Sequence, residues 1–432
     1  MKTFPGPEAK RILENAKKYY ATTTADSRIC VKSGIGALVR DVDGFEFIDF
    51  HCDASVNNLG RNNCGIMEAI QTQMATGNLF SENHNTPNDA AILLAESLSK
   101  QSPVRKPSKV FFSNSGAEAN EAARKLCMGY RYHRGESKRT KAIYFRNGFA
   151  GRTGGVLSAT SSKPERQRDP FWTSYDRENT IYITYPEQFH KRAATIKEFD
   201  TLDLSEVDRL MIEVPCQGEG GILPANEAQL KYIYEKARTA GVLWISDCVQ
   251  CGMGRSGTLF GCDFYPWLEP DILTLGKALG GGLPIGATVF REDLDWKEGE
   301  HSNTFGGGPL VMSAAISAFS QIVNIVNSGH VQKLEKILRT KLGDTYSCYR
   351  DVVEDFRGLG AMWAIQLKTP EMRGQLIKRG EELVLRNYGR GLRLLGAGEK
   401  SVRIMPPVNI EEWLLNHGLD LFRMAVGTLR KP

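Results

Sequence analysis

Residues suited to metal binding are sparse in this sequence. Seven histidines occur among 432 residues, and no two of them have the spacing of metal ligands. The nine cysteines are an odd number spread from Cys30 to Cys348, which favours free thiols in a reducing compartment over a disulfide framework. Cys248 and Cys251 have CxxC spacing, but no second pair lies near them. We therefore expect incidental thiols rather than a metal or redox site.

An excess of charge of one sign is also absent. The 55 basic and 50 acidic residues give a formal net charge of +5, and the basic residues form no stripe interleaved with aromatic residues. This argues against nucleic acid or a membrane as a partner. No stretch approaches the roughly 20 apolar residues of a membrane helix, and the N-terminal MKTFPGPEAKRILENAKKYY has no apolar core of signal-peptide length. We expect a cytoplasmic protein with a large hydrophobic core.

Seven short apolar runs recur between longer amphipathic segments. Each is rich in β-branched and aromatic residues and has about the length of a buried strand. The runs are KVFFS (109–113), KAIYF (141–145), TIYITY (180–185), RLMIEV (209–214), VLWISD (242–247), DILTLGK (271–277) and IGATVF (285–290). Helix patterns lie between several of them, as at 116–133 and 226–241. The alternation predicts an α/β fold with a mainly parallel sheet covered on both faces, in which one of the last two strands can run antiparallel.

The pattern differs at the two ends of the chain. Residues 1–55 predict an arm with a short hairpin, because GALVRDVDGFEFIDF places turn residues between two apolar alternations. Residues 56–310 would form the large α/β domain. Residues 311–432 begin with a long helix that links to a C-terminal α+β region, which together with the arm would form a smaller domain.

Three groups suited to one ligand follow predicted strands. Ligands of open α/β sheets bind beyond the carboxyl ends of the strands. Ser115, Gly116 and Ala117 come after one strand and open a helix, whose N-terminus suits a phosphate. Asp247 ends an apolar strand, where a carboxylate needs a positive partner. Lys277 ends the next strand, beside three glycines. Pyridoxal phosphate offers a phosphate, a basic ring nitrogen and an aldehyde that condenses with lysine, so these groups predict it as cofactor.

The sequence resembles the class III, fold-type-I pyridoxal-phosphate enzymes. The likeness runs from PGPEAKRILENAKKYYATT to VRIMPP and is most specific from Asp247 through GMGRSG to LGKALGGGLPIGA. It is similar to the archaeal branch that holds ornithine and 4-aminobutyrate aminotransferases together with amino-acid racemases. The resemblance implies an enzyme that acts on an amino acid and a 2-oxo acid and works as a homodimer with shared active sites.

The resemblance also implies roles for individual residues at the cofactor ring. Lys277 would form the aldimine with the cofactor and move the proton at the substrate carbon. Asp247 would pair with the pyridinium nitrogen, and Gln250 would hydrogen-bond the ring hydroxyl. Phe149, in NGFAGRTGG, would stack on the ring.

Further roles concern the phosphate and the substrate. Ser115, Gly116 and Ala117 match the family's phosphate-binding loop. Thr304, in HSNTFGGG, matches a threonine that reaches the phosphate of the neighbouring subunit. Arg403 matches the arginine that holds the substrate α-carboxylate.

Four positions depart from the family's pattern. Ala150 stands where a histidine is usual, Cys248 where an acid is usual, and Gly308 where an asparagine is usual. In the Glu-Pro-x-Gln motif Val214 replaces the glutamate, and Glu213, one residue earlier in a strand, would face the opposite side. Unless another acid reaches it from elsewhere in the chain, Arg403 is therefore expected to lack the acidic partner that relatives acting on ω-amino acids use, which favours α-amino acids as substrates.

Two enzyme functions remain open on these residues. We predict an aminotransferase, and the alternative is a racemase or epimerase of the same fold. A non-catalytic member of the fold is disfavoured because Lys277, Asp247 and Arg403 are all present. A nicotinamide-binding fold is disfavoured because no GxGxxG lies between a strand and a helix near the start of the chain.

Overall fold

The computed structural model describes residues 3–22, 27–83, 85–136, 138–188, 194–385 and 389–430. The strands are β1 (Val31–Ile35), β2 (Leu38–Asp41), β3 (Glu46–Asp49), β4 (Ser108–Ser113), β5 (Lys141–Phe145), β6 (Thr180–Ile183), β7 (Val207–Glu213), β8 (Cys216–Gln217), β9 (Leu223–Pro224), β10 (Leu243–Asp247), β11 (Ile272–Gly276), β12 (Gly286–Arg291), β13 (Val353–Leu359), β14 (Met362–Leu367), β15 (Gly391–Arg393), β16 (Leu395–Ala397) and β17 (Ser401–Ile404). The helices are α1 (Pro7–Tyr19), α2 (Cys52–Ser55, a turn with left-handed backbone), α3 (Cys64–Ala75), α4 (Asp89–Gln101), α5 (Gly116–His133), α6 (Pro164–Gln167), α7 (Ala194–Asp200), α8 (Glu227–Thr239), α9 (Pro309–Asn327), α10 (His330–Cys348), α11 (Pro370–Glu382) and α12 (Glu412–Gly427).

A seven-stranded sheet forms the centre of the protein. Its strand order is β4-β12-β11-β10-β7-β5-β6. β12 is antiparallel to both of its neighbours, and the other strands are parallel to one another. The predicted α/β fold with a mainly parallel sheet is thus confirmed, and so is the reversal at one of the last two strands. β12 reverses because only the short glycine-rich turn separates it from β11.

Two helices predicted between the strands cover this sheet. α5 begins where Ser115 caps it by accepting a hydrogen bond from the Glu118 amide, at 3.2 Å. Its buried alanines pack on one face of the sheet with Met211 and Ile245. α8 begins in the same way, with Asn226 as its cap, and buries Leu230 and Ile233 in the core on the other face. The carboxyl ends of β10 and β11 are thereby placed beside the N-terminus of α5.

The chain ends contribute two further sheets. β2 and β3 form an antiparallel hairpin between β1 and β15, and β15 runs parallel to β3 although more than 340 residues separate Phe47 from Gly391. The other sheet has the order β13-β14-β17-β16. Ile48 and Phe50 share one hydrophobic core with residues of α10, α12 and β17. Val402 and Ile404 of β17 belong to this core and hold Arg403, which lies between them in the strand.

α9 corrects the expectation that no segment could span a membrane. This helix is long and apolar enough to do so by its length and composition alone. Its alanines allow it to lie close to α3, α4 and the turn after Lys277, and it buries Met312, Phe319 and Ile322 in the main core. The apolar composition therefore serves packing inside the protein.

Candidate active site

The end of β11 and the start of α5 approach each other closely. A Cβ atom at Gly276 would lie 3.3 Å from the Gly116 Cα atom, and one at Gly116 would overlap the side chain of Val249. Lys277 follows β11 directly and has a φ of +48°, in the left-handed region that is unfavourable for a lysine. Such strain persists where the surroundings enforce it, which is common at functional sites. The two glycines thus let the lysine reach the helix N-terminus.

Asp247 lies buried at the end of β10. Its Oδ2 atom accepts a hydrogen bond of 2.8 Å from Asn120 Nδ2, and its Oδ1 atom accepts one of 3.0 Å from the Val249 amide. Burial raises the pKa of Asp247 above its ordinary value, against the lowering effect of these donors and of Lys277. A positive charge beside the carboxylate would offset this burial.

Asn120 was missed in the sequence analysis. Its Nδ2 atom also donates to the Ala150 carbonyl, at 2.9 Å, so one amide group joins α5, β10 and the turn after β5. A signal was present, because Asn120 follows Gly116 by four residues and therefore lies on the same helix face. A polar residue among the alanines of that face indicates a specific partner.

Lys277 lies among several charged groups. Burial lowers the pKa of its ammonium, while Glu219 and Asp247 partly oppose this effect. The lowered pKa increases the share of the neutral amine, which is the nucleophilic form that condenses with an aldehyde. The structure therefore brings Lys277 and Asp247 together at adjacent strand ends, as the sequence predicted.

The N-terminus of α5 carries the predicted phosphate loop. Ser115 is the helix cap, and Gly116 and Ala117 provide amides of the first turn, which have no partner within a helix. Glu118 is not a free acid at this position. Its Oε2 atom accepts hydrogen bonds from the backbone and side-chain nitrogens of Asn114. The turn thus presents amides and the positive end of the helix dipole, as an anion requires.

Phe149 and Gln250 lie on loops that flank Asp247. A small pocket is lined by Phe149, Asp247, Glu213 and their neighbours. The Oε1 atom of Gln250 is buried and has no hydrogen-bond partner among the described residues. Since buried polar atoms are normally paired, this oxygen indicates a ligand group that completes the site.

The residues fit pyridoxal 5′-phosphate at each point of the molecule. The first turn of α5 suits its phosphate, and the buried Asp247 suits a protonated ring nitrogen. Lys277, whose pKa is lowered by burial, suits its aldehyde, and the unpaired oxygen of Gln250 suits a ring substituent that donates a hydrogen bond.

Arg403 has an acidic partner, so the expectation that it would lack one was wrong. Its Nη2 atom lies 2.9 Å from Glu219 Oε1. Glu219 stands between two glycines in the turn between β8 and β9, beyond the motif in which Val214 replaces the glutamate. The Nη1 atom of Arg403 is buried without a partner among the described residues, and the whole side chain is only 1% exposed. A guanidinium with one unused donor is suited to a carboxylate.

The remaining departures from the family's pattern are packed positions. Ala150 is buried, and its amide donates to Thr160 Oγ1 at 3.1 Å. Cys248 is buried, and its thiol donates to the Val214 carbonyl at 3.4 Å. Gly308 precedes the first turn of α9, where a Cβ atom would meet the Phe80 ring at 3.4 Å.

The thiols show no arrangement for metal binding. Cys248 and Cys251 are buried, and burial raises the pKa of both. No group of three or more metal-binding side chains occurs in the part of the chain that the structure describes. Cys64 and Cys348, in contrast, are exposed.

Comparison with known proteins identifies a single family. A family model described as "Aminotransferase class-III" matches residues 19–426. The acetylornithine aminotransferase of Clostridium acetobutylicum is 32% identical over 421 residues, which cover 95% of this chain and 100% of that protein. Among solved structures, acetylornithine aminotransferase from Elizabethkingia anophelis has a TM-score of 0.80 at 25% identity and covers 97% of this chain and 99% of that one. Ornithine aminotransferase from Toxoplasma gondii has a TM-score of 0.86 at 24% identity, covers 100% and 96%, and supports the fold.

Proposed function

The chain belongs to the class-III aminotransferase family and is a pyridoxal-phosphate-dependent aminotransferase, and we propose that its amino donor reacts through an amine distant from its carboxylate. The acceptor is a 2-oxo acid. Of the two functions that the sequence left open, the comparisons therefore support aminotransfer. None of the relatives named above is a racemase.

The proposed cofactor contacts are those expected from the sequence, together with Asn120. Pyridoxal 5′-phosphate supplies an aldehyde that captures the substrate amine and a ring that withdraws electrons from the substrate carbon. Lys277 would hold the cofactor covalently and then accept and return the proton at that carbon through Nζ. Asp247 would stay charged against the ring nitrogen, held in place by Asn120.

The proposed class of amino donor rests on the ion pair between Glu219 and Arg403. A donor that presents a distant amine brings no carboxylate to Arg403, and Glu219 then neutralises the buried guanidinium. A 2-oxo acid brings a carboxylate beside its reacting carbon, and that carboxylate would replace Glu219 on Arg403. An enzyme that used α-amino acids in both half-reactions would gain nothing from the acid.

The names of the relatives indicate a narrower class of amino donor. Relatives of this chain at 30–34% identity include acetylornithine aminotransferases from bacteria, yeasts and an archaeon. We propose N-acetyl-L-ornithine or a similar acylated diamino acid as the donor and 2-oxoglutarate as the acceptor.

A single-turnover experiment tests this proposal. The cofactor-loaded enzyme is mixed with N-acetyl-L-ornithine, 4-aminobutyrate, L-alanine or L-glutamate, and conversion of the cofactor to its amine form is followed by absorbance. We expect stoichiometric conversion by N-acetyl-L-ornithine and L-glutamate. Lys277→Ala should lose this conversion by about 10³-fold or more, whereas Lys297→Ala, at an exposed lysine, should retain it. Loss of optical rotation without conversion would contradict aminotransfer.

We also propose a homodimer with shared active sites. Thr304 is exposed at the end of a loop, as a residue that reaches a second subunit must be. Beside it, Phe305 and Phe80 are 64% and 45% exposed, and their ring centroids lie 4.9 Å apart. An exposed aromatic pair of this kind is typical of a surface that another chain covers.

The last two parts of this proposal are the division into domains and the cellular location. We propose the division into an arm at 1–55, a large cofactor-binding domain at 56–310 and a C-terminal region at 311–432, supported by the core that joins the arm to α10 and α12. We propose a cytoplasmic location, which the bacterial and archaeal relatives favour, although the yeast relatives are named mitochondrial.

A further inference from the structure

Glu213 is a half-buried acid that the site described above does not use. It is the last residue of β7 and lies in register with Asp247 on the neighbouring parallel strand. Side chains in register on parallel strands point to the same face, so Glu213 lies on the same side of the sheet as Asp247. Both residues line the small pocket next to Phe149. Val214, which replaces the family's glutamate, packs in the core on the other face.

The two carboxylate oxygens of Glu213 bind two different turns. Oε1 accepts a hydrogen bond of 3.0 Å from the Phe149 amide, in the turn that follows β5. Oε2 accepts a hydrogen bond of 2.9 Å from the Gly218 amide, in the turn that follows β8. The Glu213 carbonyl also accepts a hydrogen bond of 2.8 Å from the Tyr185 hydroxyl, which fixes the end of the strand.

Each turn leads to a proposed cofactor contact. The first contains Phe149 itself. The second approaches Gln250 so closely that a Cβ atom at Gly218 would overlap Gln250 Oε1. One carboxyl group therefore sets the spacing between the backbone of Phe149 and the turn that packs against Gln250.

Holding two turns with an acid that is partly removed from solvent costs free energy. Burial and, to a smaller extent, the nearby Asp247 raise the pKa of Glu213 to about 8. A glutamine could accept from only one of the two amides, because its side-chain nitrogen does not accept, whereas both oxygens of a carboxyl group can. The cost is explained if both turns have to be fixed at the same time.

We propose that Glu213 is a positioning residue of the cofactor site, whose carboxyl group holds the Phe149 turn and the Gly218 turn in the arrangement that binds pyridoxal phosphate. This inference rests on the proposed roles of Phe149 and Gln250. Glu213→Gln keeps the shape of the side chain but replaces one acceptor with a donor, and so leaves one amide unpaired. Glu213→Asp keeps both acceptors but is one methylene too short to reach both turns.

The test measures cofactor binding and cofactor orientation separately from turnover. Apo-enzyme is titrated with pyridoxal phosphate to obtain the dissociation constant, and the visible circular dichroism per bound cofactor reports how rigidly the ring is held. We expect each Glu213 variant to weaken binding by about tenfold or more, as one unsatisfied buried amide implies, and to reduce the circular dichroism signal.

Asp208→Asn is the matched control. Asp208 is a buried acid at the opposite end of β7, and it is bound to Arg131 and Arg209 at 3.1 and 2.7 Å. This variant should lower the melting temperature without changing the dissociation constant or the dichroism at a temperature where it is folded. Phe149→Ala separates the two levels of the proposal. If Phe149→Ala weakens cofactor binding while both Glu213 variants leave it unchanged, the role of Glu213 is refuted. If Phe149→Ala also leaves it unchanged, the role of Phe149 fails and that of Glu213 fails with it.

Discussion

Glu219 and Arg403 form an ion pair in which the carboxylate and the guanidinium are 2.9 Å apart, although they lie 184 residues apart in the sequence. Burial alone would raise the pKa of Glu219, but Arg403, followed by Lys277 and Lys163, lowers it below its ordinary value. The acid is therefore charged at neutral pH and neutralises Arg403. A substrate carboxylate must compete with this internal one, and that competition distinguishes the two half-reactions.

Glu219→Gln should separate the half-reactions. The amide keeps the shape of the side chain but removes the charge, so Arg403 would attract a carboxylate at every stage. We expect the single-turnover rate with N-acetyl-L-ornithine to fall by about tenfold or more, which corresponds to at least ~1.4 kcal/mol, while the rate with L-glutamate is retained or increased. Glu235→Gln, at an exposed position on α8, serves as the control. An equal loss with both donors would show that Glu219 does not discriminate between them.

Cofactor capture by the apo-enzyme should depend on pH in a defined direction. Burial lowers the pKa of Lys277 from 10.5, so the reactive neutral amine is present at lower pH than in an exposed lysine. The capture rate should be constant at alkaline pH and fall as the pH decreases through this lowered pKa. Stopped-flow absorbance measures the profile, with Nα-acetyl-lysine in solution for comparison. A midpoint at or above that of the free lysine would contradict the effect of burial.

Asp247→Asn should impair the chemistry more than the binding. The amide retains a hydrogen-bond acceptor for Asn120 and occupies the same volume, but it loses the charge that keeps the ring nitrogen protonated. We expect exchange of the proton on the substrate's reacting carbon with solvent to slow by about 10²-fold or more, with a smaller loss of cofactor affinity. Proton exchange followed by NMR measures the first quantity, and cofactor titration the second. Wild-type exchange in this variant would assign the ring nitrogen to another partner.

Thr304 and the aromatic pair beside it are predicted to lie at the interface between two subunits. Sedimentation of the wild type should give about twice the 48.0 kDa mass of one chain. Phe305→Asp places a charge in the exposed pair with Phe80 and should shift the equilibrium towards the monomer, with loss of activity in proportion. Tyr132→Asp, at an aromatic residue that is 81% exposed on α5, is the comparison variant. A fully active monomer would exclude shared active sites.

The central sheet was predictable because its strands are locally encoded. Each of the seven apolar runs is long enough and sufficiently β-branched to be identified without knowledge of its neighbours. β15 was not predictable, because Gly391–Arg393 has only three residues and is a strand solely through its pairing with β3. Its existence depends on a contact between distant parts of the chain.

The candidate site shows the same limit. Lys277 and Asp247 were identified because a charged residue at the end of an apolar run is conspicuous in a sequence. Glu219 was not, since it lies in a glycine-rich turn where an acid is ordinary, and only the folded chain places it against Arg403. Strand periodicity correctly assigned Glu213 and Val214 to opposite faces, but it could not show which turns the carboxylate would bind.

The distribution of thiols makes the protein open to two-colour labelling without engineered cysteines. Cys64 begins α3, which packs in the main core, and Cys348 ends α10, which packs in the core shared by the two chain ends. Both are exposed, whereas the thiols around Asp247 are enclosed and protonated. A maleimide dye pair on Cys64 and Cys348 would therefore report, by energy transfer, whether the two cores move relative to each other when substrate binds.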